Sequence, residues 1–295
     1  MRHAVVAIAL LAPLAAAARA RLPVYVSVAP QAYLVEQIGG ELVKVRVLVP
    51  PGRSPHTYEP LPRQLAALAS SRALFRVGVP FETGLMEKIR GSHHGLRIVD
   101  TREGVRLLGL DGEDDHLHQH RHGPGDHHRE MASEADPHIW LDPQRVKVQA
   151  RTVASALGQI DPLKRETYDM NLAKLIAEFE ALDRRIAERL APFRGQAFMV
   201  YHPAFGYFAD RYGLKQVAVE IEGKQPGARH VAELIRKARA EKIRVIFVQT
   251  GFSRTSAEVI AQEIGGVVRE LDPLHRDIIE NLEAMAAAIE EALKR

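Results

Sequence analysis

The sequence contains no cysteine. That absence excludes disulfide frameworks, CxxC redox centres, thiolate zinc fingers and thiol nucleophiles. An excess of one charge is also missing, because 40 Lys and Arg stand against 37 Asp and Glu. Setting aside Arg2 and Arg19, which fall in a segment read below as removed, leaves 38 against 37. A balance so near neutrality offers nothing to attract a polyanion, and no nucleic acid partner is expected. After residue 20 no apolar run reaches the roughly 20 residues that a membrane-spanning helix requires. HExxH, GxSxG and P-loop signatures are absent too, and no enzymatic activity is expected.

What is present is 295 residues, 46% of them hydrophobic, enough for one large or two medium domains whose cores need no cross-links. Met1-Arg2-His3 makes a short basic start, Ala4 to Leu14 is almost wholly apolar, and Ala18-Arg19-Ala20 is a small-residue cleavage signature. This pattern predicts a signal peptide over 1–20, cut after Ala20, and export to a periplasm. No cysteine near residue 20 is available to carry a lipid.

From there the pattern alternates. Leu22 to Val28, Val43 to Val49, Ala73 to Val77 and Leu96 to Val99 read as strands, with helices over Gln31 to Ile38, Leu61 to Ser70 and Phe81 to Arg90. The second half repeats the plan. Ala197 to Tyr201, Val217 to Val219, Ile243 to Val248 and Val267 to Glu270 are strand-like, separated by helical stretches at Phe205 to Tyr212, Ala228 to Glu241 and Thr255 to Ile264, and a closing helix follows over Asp277 to Lys294. Strands alternating with helices predict α/β architecture with mostly parallel sheets. Between the halves, Asp161-Pro162 starts a helical pattern that runs through Leu175, Phe179, Leu182 and Ile186 to Pro192, about 43 Å at 1.5 Å per residue. The expected organisation is therefore an N-terminal lobe over 21–160, a rigid connecting helix over 161–192 and a C-terminal lobe over 193–295.

Asp111 to Ala135 fits neither lobe. It has almost nothing to bury and is too long for an ordinary connection. Six of the chain's 14 histidines, His116, His118, His120, His122, His127 and His128, fall within thirteen positions of it. Imidazole nitrogen suits Zn²⁺, Cu²⁺ and Ni²⁺, so the tract is expected to bind metal weakly and with some redundancy. Three further histidines occupy loops at strand ends: His56 in Ser54-Pro55-His56-Thr57-Tyr58-Glu59-Pro60, His138 in Asp136-Pro137-His138-Ile139-Trp140-Leu141-Asp142-Pro143, and His202 in Tyr201-His202-Pro203-Ala204-Phe205. Asp272 holds an equivalent place in Glu270-Leu271-Asp272-Pro273-Leu274. Parallel sheets gather ligands at such loops, beyond the carboxyl ends of the strands. Residue type alone leaves each His a hydrogen-bonded structural residue and Asp272 a helix cap at least as readily as a ligand.

Four motifs in order along the whole mature chain give a more specific reading: Val49-Pro50-Pro51-Gly52-Arg53-Ser54-Pro55-His56, the Asp136 to Pro143 segment, Tyr201-His202-Pro203-Ala204-Phe205-Gly206-Tyr207, and Leu271-Asp272-Pro273-Leu274. With the His-rich insertion, they resemble the solute-binding proteins of bacterial zinc and manganese ABC uptake systems, the ZnuA/TroA-like family. The resemblance implies two lobes joined by one long helix. It implies one Zn²⁺ held by His56, His138, His202 and Asp272, with the six loop histidines as an auxiliary site. It also implies a membrane permease and a cytoplasmic ATPase as partners, with the protein itself monomeric. His202 supplies nitrogen where manganese-binding members tend to carry a carboxylate, which favours zinc over Mn²⁺ or Fe²⁺. An exported zinc buffer and a zinc hydrolase are the rival readings. The sequence departs from the family at Gln249, where an acidic residue is common, and in lacking the cysteine pair of some zinc relatives. Neutral imidazoles are the ligating form, so affinity is expected to fall below about pH 6.5. Glu59 is placed as a solvent-exposed charge, His93, His94, His230 and His275 as surface residues, and Tyr58, Trp140 and Tyr207 as packing around the cleft.

Overall fold

The structure, a computed structural model, describes residues 21–89, 95–109, 135–220 and 224–294. The predicted signal peptide, the six tract histidines, His93 and His94 lie outside the described residues. In the first lobe, β1 (Leu22–Val26), α1 (Ala29–Gly39), β2 (Val43–Val47), α2 (Pro62–Ala69), β3 (Ala73–Arg76), α3 (Phe81–Ile89) and β4 (Arg97–Asp100) build a fully parallel sheet in the order β2-β1-β3-β4. Two helices follow, α4 (Pro143–Ile160) and α5 (Arg165–Leu190). The second lobe contains β5 (Ala197–Val200), α6 (Gly206–Tyr212), β6 (Lys215–Ala218), α7 (Ala228–Ala240), β7 (Val245–Val248), α8 (Thr255–Glu263) and β8 (Val267–Glu270). Its sheet is again parallel, in the matching order β6-β5-β7-β8, and α9 (Ile278–Leu293) ends the described chain. The chain is thus α/β, two small parallel sheets flanked by helices and joined by one long helix.

Every predicted strand occurs, with its ends shifted by no more than two residues. Two features of the middle differ from expectation. Asp161-Pro162 opens a 3₁₀ turn over Pro162–Lys164, so the α-helix begins at Arg165 and runs 26 residues, about 39 Å. Helix α4 was not anticipated, although its start is written in the same way: Asp142 accepts from Gln144 N–H at 2.8 Å and Pro143 takes the first helical position. Val146, Ala150, Val153 and Leu157 then share one buried face.

Helix α4 explains why the lobes do not act as separate bodies. It packs along α5 together with α1, while α9 lies against α5 and β5. One apolar core therefore runs from Val24 and Phe75 through Phe179 and Leu182 to Phe198, Phe247 and Leu282. Alternation along β5 divides the second lobe: Phe198 and Val200 face this common core, whereas Ala197 and Met199 face a separate cluster under α7 and α8. Asp183, on the buried face of α5, adds polar ties. It accepts from Gln144 Nε2 of α4 at 2.7 Å, Arg211 Nε of α6 at 2.9 Å and Tyr212 Oη at 3.2 Å. Burial alone would raise its pKa, but these donors hold it below the ordinary carboxylate value. Wide lobe opening would have to break this shared layer.

Candidate metal centre

The carboxyl ends of both sheets point at the interface between the lobes. His56 sits in the irregular stretch between β2 and α2, His138 just before a 3₁₀ turn over Ile139–Leu141, and His202 two residues after β5. Their ring nitrogens converge: one from each residue lies within 4.8 Å of the other two. The His56 and His202 Nε2 atoms are 3.0 Å apart, and the ring centroids of the trio are separated by 4.5 to 5.5 Å.

Buried carboxylates orient two of the three rings. Asp136 Oδ1 accepts from the His138 backbone N–H at 2.9 Å and meets its Nδ1 at 2.6 Å, leaving Nε2 as the free ring nitrogen. Glu220, just beyond β6 and buried, takes the Nδ1 of His202. Gln249 clasps the same residue's main chain, its Oε1 accepting from His202 N–H at 3.1 Å and its Nε2 donating to the carbonyl at 2.6 Å. A carboxylate could make only the first of these bonds. The family departure at Gln249 thus gives His202 a backbone clasp. With Nδ1 of His202 held by Glu220, its Nε2 is the atom that meets His56 Nε2 at 3.0 Å.

Burial, and then the neighbouring imidazoles of His138 and His202, push the His56 pKa down to about 2. Burial, with His202 behind it, likewise holds His138 well below 6.5. Both rings are neutral at physiological pH, the form that ligates a metal. The expected loss of affinity below pH 6.5 therefore moves to lower pH. Burial raises Asp136 to about 8, partly offset by the His138 N–H and by His202 and Arg145. A cation at the centre acts in the opposite sense and favours the carboxylate.

Residues of the two lobes interlock around this point. Tyr207 Oη accepts from Leu108 N–H at 3.0 Å and donates to the Asp136 carbonyl at 2.7 Å, with the Arg145 guanidinium 4.5 Å from its ring centre. Gly206 leaves room for the Asp136 carboxyl, since a Cβ there would lie 3.0 Å from Oδ2. Trp140 Nε1 donates to the Pro273 carbonyl at 2.7 Å. Phe252 stacks on the His202 ring at 5.1 Å.

Asp272 is not in the converging group. It is half-buried, and its Oδ1 accepts from Leu274 N–H at 2.8 Å in a local turn, the capping use that residue type alone allows. Glu59 is exposed as expected. His275 is exposed as well and faces the Asp277 carbonyl, whereas His230 is half-buried on α7 beside Glu233; neither joins the centre. Tyr58 packs edge-on against Phe81. Sequence reasoning assigned no role to Asp136, Glu220 or Phe252. Asp136 was within reach, two residues before His138, but nothing along the chain connects Glu220 or Phe252 to His202.

Two α/β lobes joined through a shared helical layer and meeting at a cluster of three imidazoles define a metal-binding protein of the two-lobed solute-binding class. The family described as ZnuA, zinc-uptake complex component A, periplasmic, matches residues 24–292, and the chain belongs to it. It is 30% identical over 81% of its length to the zinc-binding lipoprotein AdcA of Streptococcus pneumoniae, and spans about half, 47%, of that protein. The high-affinity zinc uptake system protein ZnuA of Bacillus subtilis is 28% identical, with 86% of this chain and 79% of the relative covered. Among solved structures, a crystal structure of ZnuA superposes with a TM-score of 0.82 at 39% identity, covering 93% of this chain and all of the other.

Proposed function

We propose that this protein captures Zn²⁺ outside the cytoplasm and delivers it to the permease of an ABC importer driven by a cytoplasmic ATPase. The observation that carries this reading is the meeting of three imidazoles, His56 and His138 from one lobe and His202 from the other, at a single point. An all-nitrogen trio matches the tetrahedral preference of zinc and suits manganese poorly. Asp272 completes the set in this reading, offering the oxygen not held by Leu274. Three imidazoles and one carboxylate leave no open position for water, which separates the site from catalytic zinc. Residues 21–160 and 193–295 act as the metal-binding lobes, residues 1–20 direct export to the periplasm, and the protein works as a monomer without enzymatic activity. His116, His118, His120, His122, His127 and His128 form the weaker auxiliary site.

Names borne by the AdcA and ZnuA relatives support zinc as the cargo. The test is metal analysis of the mature chain purified without a tag, followed by zinc titration of a form lacking residues 116–128. Retention of one tight zinc per chain is expected. Loss of the tight site with that deletion would overturn the capture reading and leave a periplasmic buffer in its place.

A further inference from the structure

The three histidines differ in how they are held. His138 is 2% exposed, and both its backbone N–H and its Nδ1 are fixed by Asp136, whose own carbonyl is tied by Tyr207 across the lobe interface. His202 is fixed still more completely: Glu220 takes its Nδ1, Gln249 takes its backbone N–H and carbonyl, and Phe252 covers one ring face. His56 has none of this. Its backbone N–H reaches Ser54 Oγ at 3.3 Å, and among the described residues no group bonds its Nδ1. It is half-buried and lies in the irregular residues 48–61 rather than on a helix or strand. Near the far side of that stretch, Gly52 faces Gly251, where a Cβ would come within 3.3 Å of the Gly52 carbonyl oxygen. The His56 segment thus meets the opposite lobe through two residues without side chains.

On a tetrahedral zinc with Zn–N of about 2.0–2.1 Å, two ligand nitrogens lie about 3.3 Å apart. His56 and His202 are 3.0 Å apart, so a cation between them requires one ring to withdraw. His202 is clamped at four points and His56 is not. The ring that gives way is His56.

We propose that His138 and His202 form the standing half of the site and that His56 is the exchangeable ligand, closing over the cation last and leaving first at delivery. Asp136 and Glu220 are then positioning residues that keep the standing half assembled while the site is empty. This inference rests on the metal-capture reading and adds an order of events to it. Stiffness of the shared helical layer makes it the economical route, because one loop moves while the lobes keep their spacing.

The test is stopped-flow zinc transfer from the full mature chain, loaded with one equivalent, to excess 4-(2-pyridylazo)resorcinol. His56→Ala is expected to keep one tight zinc but to release it more than about tenfold faster than the parent. His138→Ala and His202→Ala are expected to keep only metal held at the strength of the His-rich tract. Glu220→Leu should weaken binding about 10- to 100-fold, as loss of a carboxylate behind a ligating imidazole commonly does. Glu220→Gln should recover most of that loss, since its amide oxygen still accepts from Nδ1–H. The proposal is overturned if His56→Ala loses zinc as completely as His138→Ala, or if Glu220→Leu releases zinc at the parent rate. Should His138→Ala fail to fold, the Glu220 pair carries the test alone. Parent-like binding by all three imidazole variants would instead sink the capture reading itself.

Discussion

Replacing Tyr207 by Phe removes one oxygen and leaves the ring that packs beside Arg145. That oxygen serves two buried groups of the other lobe, the Leu108 N–H at 3.0 Å and the Asp136 carbonyl at 2.7 Å. Leu108 is 2% exposed and Asp136 fully buried, so water has no ready path to either group. Leaving one such group unsatisfied costs about 1–3 kcal/mol, and two place the loss at about 2–6 kcal/mol. Against a total stability of about 5–15 kcal/mol this is a large fraction. At roughly 2–4 °C per kcal/mol for a chain of this size, Tm should fall by about 5–25 °C. Calorimetric and urea unfolding of the zinc-free protein measure the effect. Both should show one transition, because the core is continuous across the lobes. Zinc affinity should fall as well, since Asp136 carries His138. A loss under about 0.5 kcal/mol, or a variant that unfolds in two separate steps, would refute the bridging role of the hydroxyl.

His56 and His138, held low by burial, should add almost nothing to the pH dependence of zinc affinity between pH 7 and pH 6, where two imidazoles at the ordinary value would cost about tenfold. Chelator competition at the two pH values with Asp136→Asn, which removes the carboxyl proton that a cation displaces, decides it, a tenfold drop counting against the burial argument. In the zinc-free protein the unfolded chain binds a proton at His56 near pH 6.5 while the folded one does not, so this residue destabilises the fold progressively as pH falls from about 6.5 toward 2. The stability of His56→Ala relative to the parent should therefore improve by about 1.4 kcal/mol between pH 7.5 and 5.5, as read by urea midpoints. Gln249→Glu sets an acceptor against the His202 carbonyl and should cost about 1–3 kcal/mol in denaturant unfolding, whereas Gln249→Ala, which removes both bonds, should also speed zinc release. Asp183→Ala strands the half-buried Gln144 and buried Tyr212 donors and should lower thermal stability without altering zinc stoichiometry in a titration.

Apolar and β-branched runs were enough to place the eight strands of the described residues: β3, β5 and β7 are buried on both faces and so almost wholly apolar, whereas β2 at a sheet edge alternates Val with exposed Lys and Arg. The connector was equally readable, since a long amphipathic repeat is a local property. Helix α4 escaped notice although Asp142-Pro143 marks its start. Its first residues belong to the motif that contains His138, so one short segment carries both a candidate ligand and an N-cap.

The sequence by itself determined the repeating α/β plan, the long connector and which histidines stand at strand ends, because each is dictated by residues near one another along the chain. Only the tertiary structure decided that His56, His138 and His202 share one point, that Asp136 and Glu220 stand behind two of them, and that one oxygen of Asp272 caps a turn. Apart from Asp136, two positions from His138, those relations join residues 18 to 146 positions apart or depend on which hydrogen bond a side chain makes. Neither leaves a trace in spacing, because the distance between two side chains across a cleft is set by the packing of α4, α5 and α9, which hold the lobes apart.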